Sequence, residues 1–182
     1  ILDHLDFENK RVILLTAHRS ENLGQPMSEI FDAVREIAQT MDDVAIVYPM
    51  HLNPMVRKPA LEILSGLDNV YLIEPLVYVP FANLMAKSYM VMTDSGGIQE
   101  EAPALGKPVL VLRTETERPE AVKAGTVKVV GTDQKVIYEA ACELLSDSSA
   151  YSTMANAVNP YGDGKTSSRI AELIQKRFNF KG

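Results

Sequence analysis

The sequence predicts an α/β fold, a doubly wound Rossmann-like parallel sheet of about six strands with helices on both faces. Two observations predict it. Short apolar runs alternate along the chain with amphipathic stretches of helical periodicity. The apolar runs are also nearly continuous, without the polar alternation of a sheet that faces water on one side. Strands of this kind are buried on both faces and require helices above and below them.

Each element follows from its own pattern. Residues 11–16 form the first apolar run, and 27–40 place Ile30, Val34 and Ile37 at helical spacing. Pro103 cannot donate a backbone hydrogen bond, so the helix that begins after Gly97 should be short or kinked. The other predicted strands are 44–48, 69–73, 89–92, 108–112 and 127–130, and the other predicted helices are 54–64, 78–87, 133–145, 148–156 and 166–178.

Composition limits the function classes. The 182 residues suit one domain, 1–182, with ordinary globular content of 46% apolar and 23% charged residues. No apolar run approaches the roughly 20 residues of a membrane span, and the net charge of −6 argues against a nucleic-acid surface. The single cysteine, Cys142, fits a reducing compartment, so a cytoplasmic location is expected. Because the chain begins with Ile1, we expect a processed chain or part of a longer one.

The segment 93–102, TDSGGIQEEA, is the most informative part of the sequence. Gly96 and Gly97 follow a strand and open a helix, where tight turning and close approach to a ligand are both possible. Amide N–H groups at a helix start suit a diphosphate. An ordinary strand-to-helix turn explains the two glycines equally well. Glu101 favours the interpretation as a ligand site. Helical spacing places it on the same face as Ile98, where a carboxylate needs a partner such as ribose hydroxyls.

Polar side chains follow four of the predicted strands, and the carboxyl ends of parallel strands are where ligands bind in such sheets. His18 suits either a structural hydrogen bond or contact with a phosphate, and His51 has the same two interpretations. Arg118 is either a solvated residue before a helix or a cation that stabilises a departing diphosphate, and Arg113 is the weaker candidate. No metal site is predicted, because the histidines lie on separate loops and no HxxxH or CxxC spacing occurs.

Four sequence blocks resemble the C-terminal half of the non-hydrolysing UDP-N-acetylglucosamine 2-epimerases. The blocks, in order, are 16–22 (TAHRSEN), 48–54 (YPMHLNP), 93–102 (TDSGGIQEEA) and 117–120 (ERPE). The resemblance runs over essentially the whole chain. It implies a GT-B-like protein of two Rossmann-like halves, with the active site between them. It also implies interconversion of UDP-GlcNAc and UDP-ManNAc by elimination of UDP to 2-acetamidoglucal, followed by re-addition.

The resemblance implies roles for particular residues. Ser95, Gly96 and Gly97 would hold the diphosphate and Glu101 the ribose, while Phe81 would lie beside the uracil. Arg118 would stabilise the leaving pyrophosphate, and His18 would act near the phosphate and sugar. No cofactor is implied.

Bacterial members of the family bind a second UDP-GlcNAc as an allosteric activator. Arg19, Glu21 and His51 match positions that contact it, whereas Ser20 stands where the family commonly has a second arginine. The acids that handle the C2 proton belong to an N-terminal half, so this chain alone should bind UDP weakly and catalyse nothing. The irregular connection 159–164 leaves the final helix, 166–178, as a candidate for packing against that half. A homodimer is also implied.

Two other function classes remain open from the sequence. A donor domain of a GT-B glycosyltransferase would use a similar glycine-rich turn and glutamate, and a hydrolysing epimerase is a closer variant. A non-catalytic nucleotide-sensing module fits the incomplete acid–base set. A dinucleotide-binding dehydrogenase is less consistent with the sequence, because no GxGxxG motif follows the first strand.

Overall fold

The computed structural model describes residues 5–162 and 164–178. All six strands in this part of the chain are parallel, in the order β3-β2-β1-β4-β5-β6. The predicted sheet is therefore confirmed. The strand order reverses between β1 and β4, the position where open α/β sheets bind ligands. The strands are β1 (Arg11–Thr16), β2 (Val44–Pro49), β3 (Val70–Ile73), β4 (Met90–Thr93), β5 (Val109–Val111) and β6 (Val127–Val129).

Helices cover both faces of the sheet, which confirms the doubly wound arrangement. One hydrophobic cluster joins α1, α2 and α6 to one face, and a second cluster joins α3, α4 and α5 to the other. The helices are α1 (Gln25–Thr40), α2 (Pro54–Leu64), α3 (Tyr78–Lys87), α4 (Ile98–Ala104), α5 (Pro119–Ala124), α6 (Gln134–Ser146), α7 (Ser148–Ala155) and α8 (Thr166–Phe178).

The strands divide their side chains between the two clusters. In β1, Ile13 and Leu15 belong to the first cluster, whereas Val12 and Leu14 belong to the second. This alternation is the two-residue period of a strand. Both sets are apolar because both faces are covered, which is why the runs in the sequence are continuous.

Most predicted boundaries agree with the structure within two residues. Helix α1 begins at Gln25 because Pro26 occupies its first turn, where a missing N–H costs nothing. Helix α4 is only seven residues long, as Pro103 predicts. The extent of helix α5 was not predicted, although Arg118 was considered as a residue before a helix, because its six residues are too few to show a helical period.

Helix α8 has no buried residue, and its apolar side chains Ile170, Leu173, Ile174 and Phe178 are exposed. Asp163, in the connection before it, lies outside the described residues. Packing of α8 against another domain stays a prediction. No helix in the described part of the chain is both long and apolar enough to cross a membrane.

Candidate functional site

Loops that follow β1 and β4 meet at the point where the strand order reverses. Thr16 and Thr93 are paired in register at the ends of these strands, and their hydroxyl oxygens lie 2.6 Å apart. The Thr93 hydroxyl also accepts a hydrogen bond from the Ser95 amide at 2.9 Å. The chain after β4 is thus fixed against β1 before the glycines begin.

Asp94 holds these loops together, and the sequence analysis did not single it out. The Asp94 side chain is fully buried, and its Oδ2 accepts hydrogen bonds from the His18 and Arg19 amides, both at 2.7 Å. Asn22 Nδ2 donates to the same oxygen at 3.3 Å and to the Leu112 carbonyl at 3.1 Å. The signal in the sequence was an acid placed directly at the end of a buried strand, where it costs free energy unless donors surround it.

Tyr48 supports the same loop from β2. Its hydroxyl donates to the Ala17 carbonyl at 2.6 Å. Burial, and then the nearby charge of Asp94, raise the pKa of the Tyr48 phenol well above its ordinary value. The phenol therefore stays protonated and remains a hydrogen-bond donor.

Gly96 and Gly97 do not make a turn that requires glycine. The other seven glycines described have positive φ, whereas Gly96 and Gly97 do not, and Gly97 is helical at φ −66°. The short turn between β4 and α4 therefore exists, but it does not depend on a backbone conformation that only glycine adopts readily. Gly97 is exposed and Gly96 is buried among neighbouring side chains, and the N–H groups of both donate no hydrogen bond to any described residue. A surface of this kind lets an anion approach the amides closely.

Two arginines and a glutamate surround Gly96. A Cβ placed on Gly96 would lie 3.8 Å from Arg19 Nη2, 3.8 Å from Glu117 Oε2 and 4.0 Å from Arg118 Nη2. We call Gly96, Gly97, Arg19 and Arg118 the glycine crevice. Its free amides and guanidinium groups are suited to bind an anion with several oxygens, such as a diphosphate.

Glu101 does not face the core, contrary to prediction, and is exposed. The buried face of α4 is turned by about 60° from the predicted face, because Gln99 is buried and Leu105 is 43% exposed. Gln99 tolerates burial because its Nε2 donates to the Ser95 carbonyl at 3.2 Å and its Oε1 accepts from the Thr116 hydroxyl. The Glu101 carboxylate lies beside the glycine crevice instead, with Oε1 3.7 Å from a Cβ placed on Gly97.

Arg118 is held at the crevice from three sides. Its Nε donates to Glu100 and its Nη1 to the Glu117 carbonyl at 3.2 Å, while its amide donates to the Thr116 hydroxyl at 3.0 Å. These contacts leave Nη2 as the nitrogen nearest Gly96. The guanidinium is thus oriented before any ligand arrives.

Arg113 is buried beneath the rim, at 8% exposure. Its Nε donates to Glu21 Oε1 at 2.6 Å, and its Nη1 donates to Glu117. Because both glutamates already engage it, Arg113 is suited to bracing the loops after β1 and β5. This agrees with its place as the weaker candidate in the sequence analysis.

Glu117 should make stability depend on pH in the acidic range. The hydrogen bond from Arg113, and then a backbone hydrogen bond, lower the pKa of Glu117 to about 2 from 4.5. Because the folded pKa lies below the unfolded one, the stabilisation is complete above pH 4.5 and is lost as pH falls toward 2. We expect Glu117→Gln to lose less unfolding free energy than the wild type between about pH 6 and about pH 3 in urea titrations.

The effect should be small, because Glu117 is exposed. Glu120→Gln is the control, since Glu120 is exposed on the same rim and makes no ion pair with a described residue. An identical pH dependence in Glu117→Gln and the wild type would contradict the prediction.

The two rim histidines meet, as their positions at strand ends suggested. The rings of His18 and His51 stack with centroids 5.4 Å apart at an interplanar angle of 27°. His51 Nδ1 accepts a hydrogen bond from the Asn53 amide at 3.1 Å, and the Asn53 side chain caps α2. His51 is therefore fixed to the start of α2, with His18 between it and the glycine-rich loop.

Phe81 lies in the first half of α3 and is half-buried against the second hydrophobic cluster. Its predicted contact with a uracil stays a prediction. Among the described residues, no group of three or more His, Cys, Asp or Glu side chains could hold a metal ion.

The fold and this rim define a class of protein, a Rossmann-like α/β domain with backbone amides and guanidinium groups gathered at its switch point. A family model described as UDP-N-acetylglucosamine 2-epimerase matches residues 1–175. The chain therefore belongs to the UDP-N-acetylglucosamine 2-epimerase family.

Individual relatives agree with the family. A UDP-N-acetylglucosamine 2-epimerase of Bacillus subtilis (strain 168) is 54% identical over 171 residues, 94% of this chain and 45% of the relative. The S. aureus MnaA–UDP co-structure is 54% identical with a TM-score of 0.90, covering 96% of this chain and 48% of that one. The UDP-GlcNAc 2-epimerase from Neisseria meningitidis bound to UDP-GlcNAc is 52% identical with a TM-score of 0.88, covering 93% of this chain and 46% of that one. The chain spans about half the length of the curated relatives it matches, and the resemblance to a C-terminal half of this family is confirmed.

Proposed function

We propose that this chain is the UDP-binding half of a longer enzyme that interconverts UDP-N-acetylglucosamine and UDP-N-acetylmannosamine. The glycine crevice carries the proposal. Its amides are unpaired within the described chain, and its glycines are not needed for the turn. The crevice also lies at the switch point of the sheet, and the chain belongs to the UDP-N-acetylglucosamine 2-epimerase family.

The diphosphate would lie against Gly96 and Gly97, beside Ser95, with Arg118 Nη2 and Arg19 Nη2 above it. Glu101, exposed beside Gly97, would accept hydrogen bonds from the ribose hydroxyls. Exposure suits this role, since a buried carboxylate could not reach a ligand in a cleft. Phe81 would lie by the uracil.

The chemistry would divide between two halves. This half would stabilise UDP as the C1–O bond breaks, because amides and Arg118 are preorganised where negative charge develops. His18 would act near the phosphate and sugar. An N-terminal half would supply the base that removes the C2 proton, giving 2-acetamidoglucal, and closure of the halves would exclude water. The isolated chain would therefore catalyse nothing.

The activator site would adjoin the UDP site. Arg19, Glu21 and His51 would contact a second UDP-GlcNAc. Arg19 itself belongs to the glycine crevice, and two contacts connect the other residues with the side chains beside the crevice. His51 stacks on His18, and Arg113 joins Glu21 to Glu117. We further propose a cytoplasmic homodimer in which α8 packs against the N-terminal half.

The test of UDP binding is an NMR titration of this chain, which detects weak binding. We expect UDP to shift the Gly96 and Gly97 amide signals. Gly96→Ala should weaken UDP binding at least about tenfold, because its methyl group would stand between Arg19 and Arg118 in the space that the diphosphate needs. The fold should be unaffected, since Gly96 lacks a positive φ and the added Cβ makes only ordinary contacts.

The ribose contact is tested in the same titration. Glu101→Ala should weaken UDP binding about tenfold. Glu120 is another exposed glutamate in the first turn of a rim helix, and Glu120→Ala should leave UDP binding unchanged. No UDP binding by the wild type would contradict the proposal and favour a non-catalytic interaction module. For the full-length protein given UDP-GlcNAc alone, UDP-ManNAc supports the epimerase, free ManNAc a hydrolysing enzyme, and dependence on an acceptor a glycosyltransferase.

A further inference from the structure

The Asp94 carboxylate has one oxygen that is unused. Three donors bind Oδ2, but Oδ1 is buried and accepts no hydrogen bond from any described residue. A buried acceptor without a partner costs free energy, so such atoms are rare in folded proteins. An ionised carboxylate makes the cost larger.

The polar side chains beside the Asp94 carboxylate differ in whether they already donate elsewhere. The Arg19 guanidinium donates to the backbone carbonyl of Asp94 at 3.2 Å rather than to the carboxylate. The Tyr48 hydroxyl donates to the Ala17 carbonyl. His18 Nε2 remains, 3.9 Å from Asp94 Oδ1, and its half-exposed ring makes no hydrogen bond to a described residue.

We propose that Asp94 is a positioning residue that fixes the tautomer of His18. Its Oδ1 would accept a hydrogen bond from His18 Nε2–H, so the ring proton would stay on Nε2. The same carboxylate would then set both the position of His18, through its amide, and the orientation of its ring. The distance must shorten by about 1 Å to become a hydrogen bond, and catalytic hydrogen bonds are often long before a ligand binds. His51 stacks on the His18 ring and limits the other directions in which it can move.

The consequence concerns Nδ1, the nitrogen left for a ligand. With Nε2–H bound to Asp94, Nδ1 of the neutral ring is an acceptor, and the charged ring presents Nδ1–H as a donor. That the ligand is a diphosphate rests on the proposed function, whereas the tautomer does not.

Asp94→Asn tests the tautomer while keeping the loop in place. The His18 and Arg19 amides need an acceptor at the Oδ2 position, so the single Asn oxygen must take it. The Asn NH₂ group then occupies the Oδ1 position and donates toward His18. His18 Nε2 becomes an acceptor, and the ring proton moves to Nδ1.

The measurement is long-range ¹H–¹⁵N NMR of histidine-labelled protein at about pH 8, where imidazoles are ordinarily neutral. His18→Gln identifies the signals of His18 by their loss. We expect Nε2–H in the wild type and Nδ1–H in Asp94→Asn. Nδ1–H in the wild type, or Nε2–H retained in the variant, overturns the proposal.

Asn22→Ser is the matched control, because it removes a donor from Asp94 Oδ2 and leaves Oδ1 unchanged. It should keep the wild-type tautomer, and a change there would assign the effect to loosening of the loop and overturn the proposal. The UDP titration is independent. A wild type that fails to bind UDP overturns the proposed function and leaves the tautomer result to decide the role of Asp94.

Discussion

Replacement of Arg118 by methionine in the full-length protein is expected to lower kcat by about 100- to 1,000-fold. The guanidinium is fixed by Glu100 and by the Glu117 carbonyl, so Nη2 needs no reorganisation to meet a diphosphate at Gly96. Methionine keeps an unbranched stem but removes the charge. In the proposed mechanism negative charge on UDP grows as the C1–O bond breaks, so the loss should fall more on kcat than on KM.

The matched control for Arg118→Met is Arg57→Met. Arg57 also pairs with a single glutamate side chain, Glu74, but it lies on α2 and does not contact Gly96 or Gly97. Its loss should leave kcat within about twofold, as expected for an exposed ion pair. Steady-state conversion of UDP-GlcNAc to UDP-ManNAc measures both variants. Equal kcat values for Arg118→Met and the wild type would remove Arg118 from the mechanism.

Phe31→Ala is expected to lower the free energy of unfolding of this chain by about 3–5 kcal/mol. Phe31 is fully buried on α1, and its ring packs against that of Tyr48 with centroids 5.6 Å apart. The substitution removes apolar area and leaves a cavity between α1 and β2, because the surrounding backbone belongs to regular elements that cannot collapse fully.

Urea unfolding of the chain measures this loss. Val158→Ala is the control, since Val158 is 83% exposed, and its change should stay within about 0.5 kcal/mol. A loss below about 1 kcal/mol for Phe31→Ala would mean that the cluster around α1 is not the close-packed core described above.

The sequence predicted the sheet well because burial on both faces leaves a strong local signal. Six apolar runs and the four polar loops that follow strands could be found without tertiary information. The extent of helix α5 could not, since six residues carry too little periodicity. The predicted orientation of Glu101 toward the core was wrong because the polar residue Gln99 occupies the buried face of α4 instead. Hydrogen bonds to Ser95 and Thr116 make its burial possible. Those partners lie in different loops and only meet in three dimensions.

The sequence by itself determined the fold class, the family and the rim residues, because apolar periodicity and motif order are properties of the chain. The tertiary structure alone decided which rim residues touch. Only in the folded chain does the His18 ring stack on His51 and does Arg113 pair with Glu21 and Glu117. One oxygen of Asp94 is left there without a donor among the described residues. Contacts of this kind depend on the order in which strands are laid side by side, and strand order is not written in any single segment of the chain.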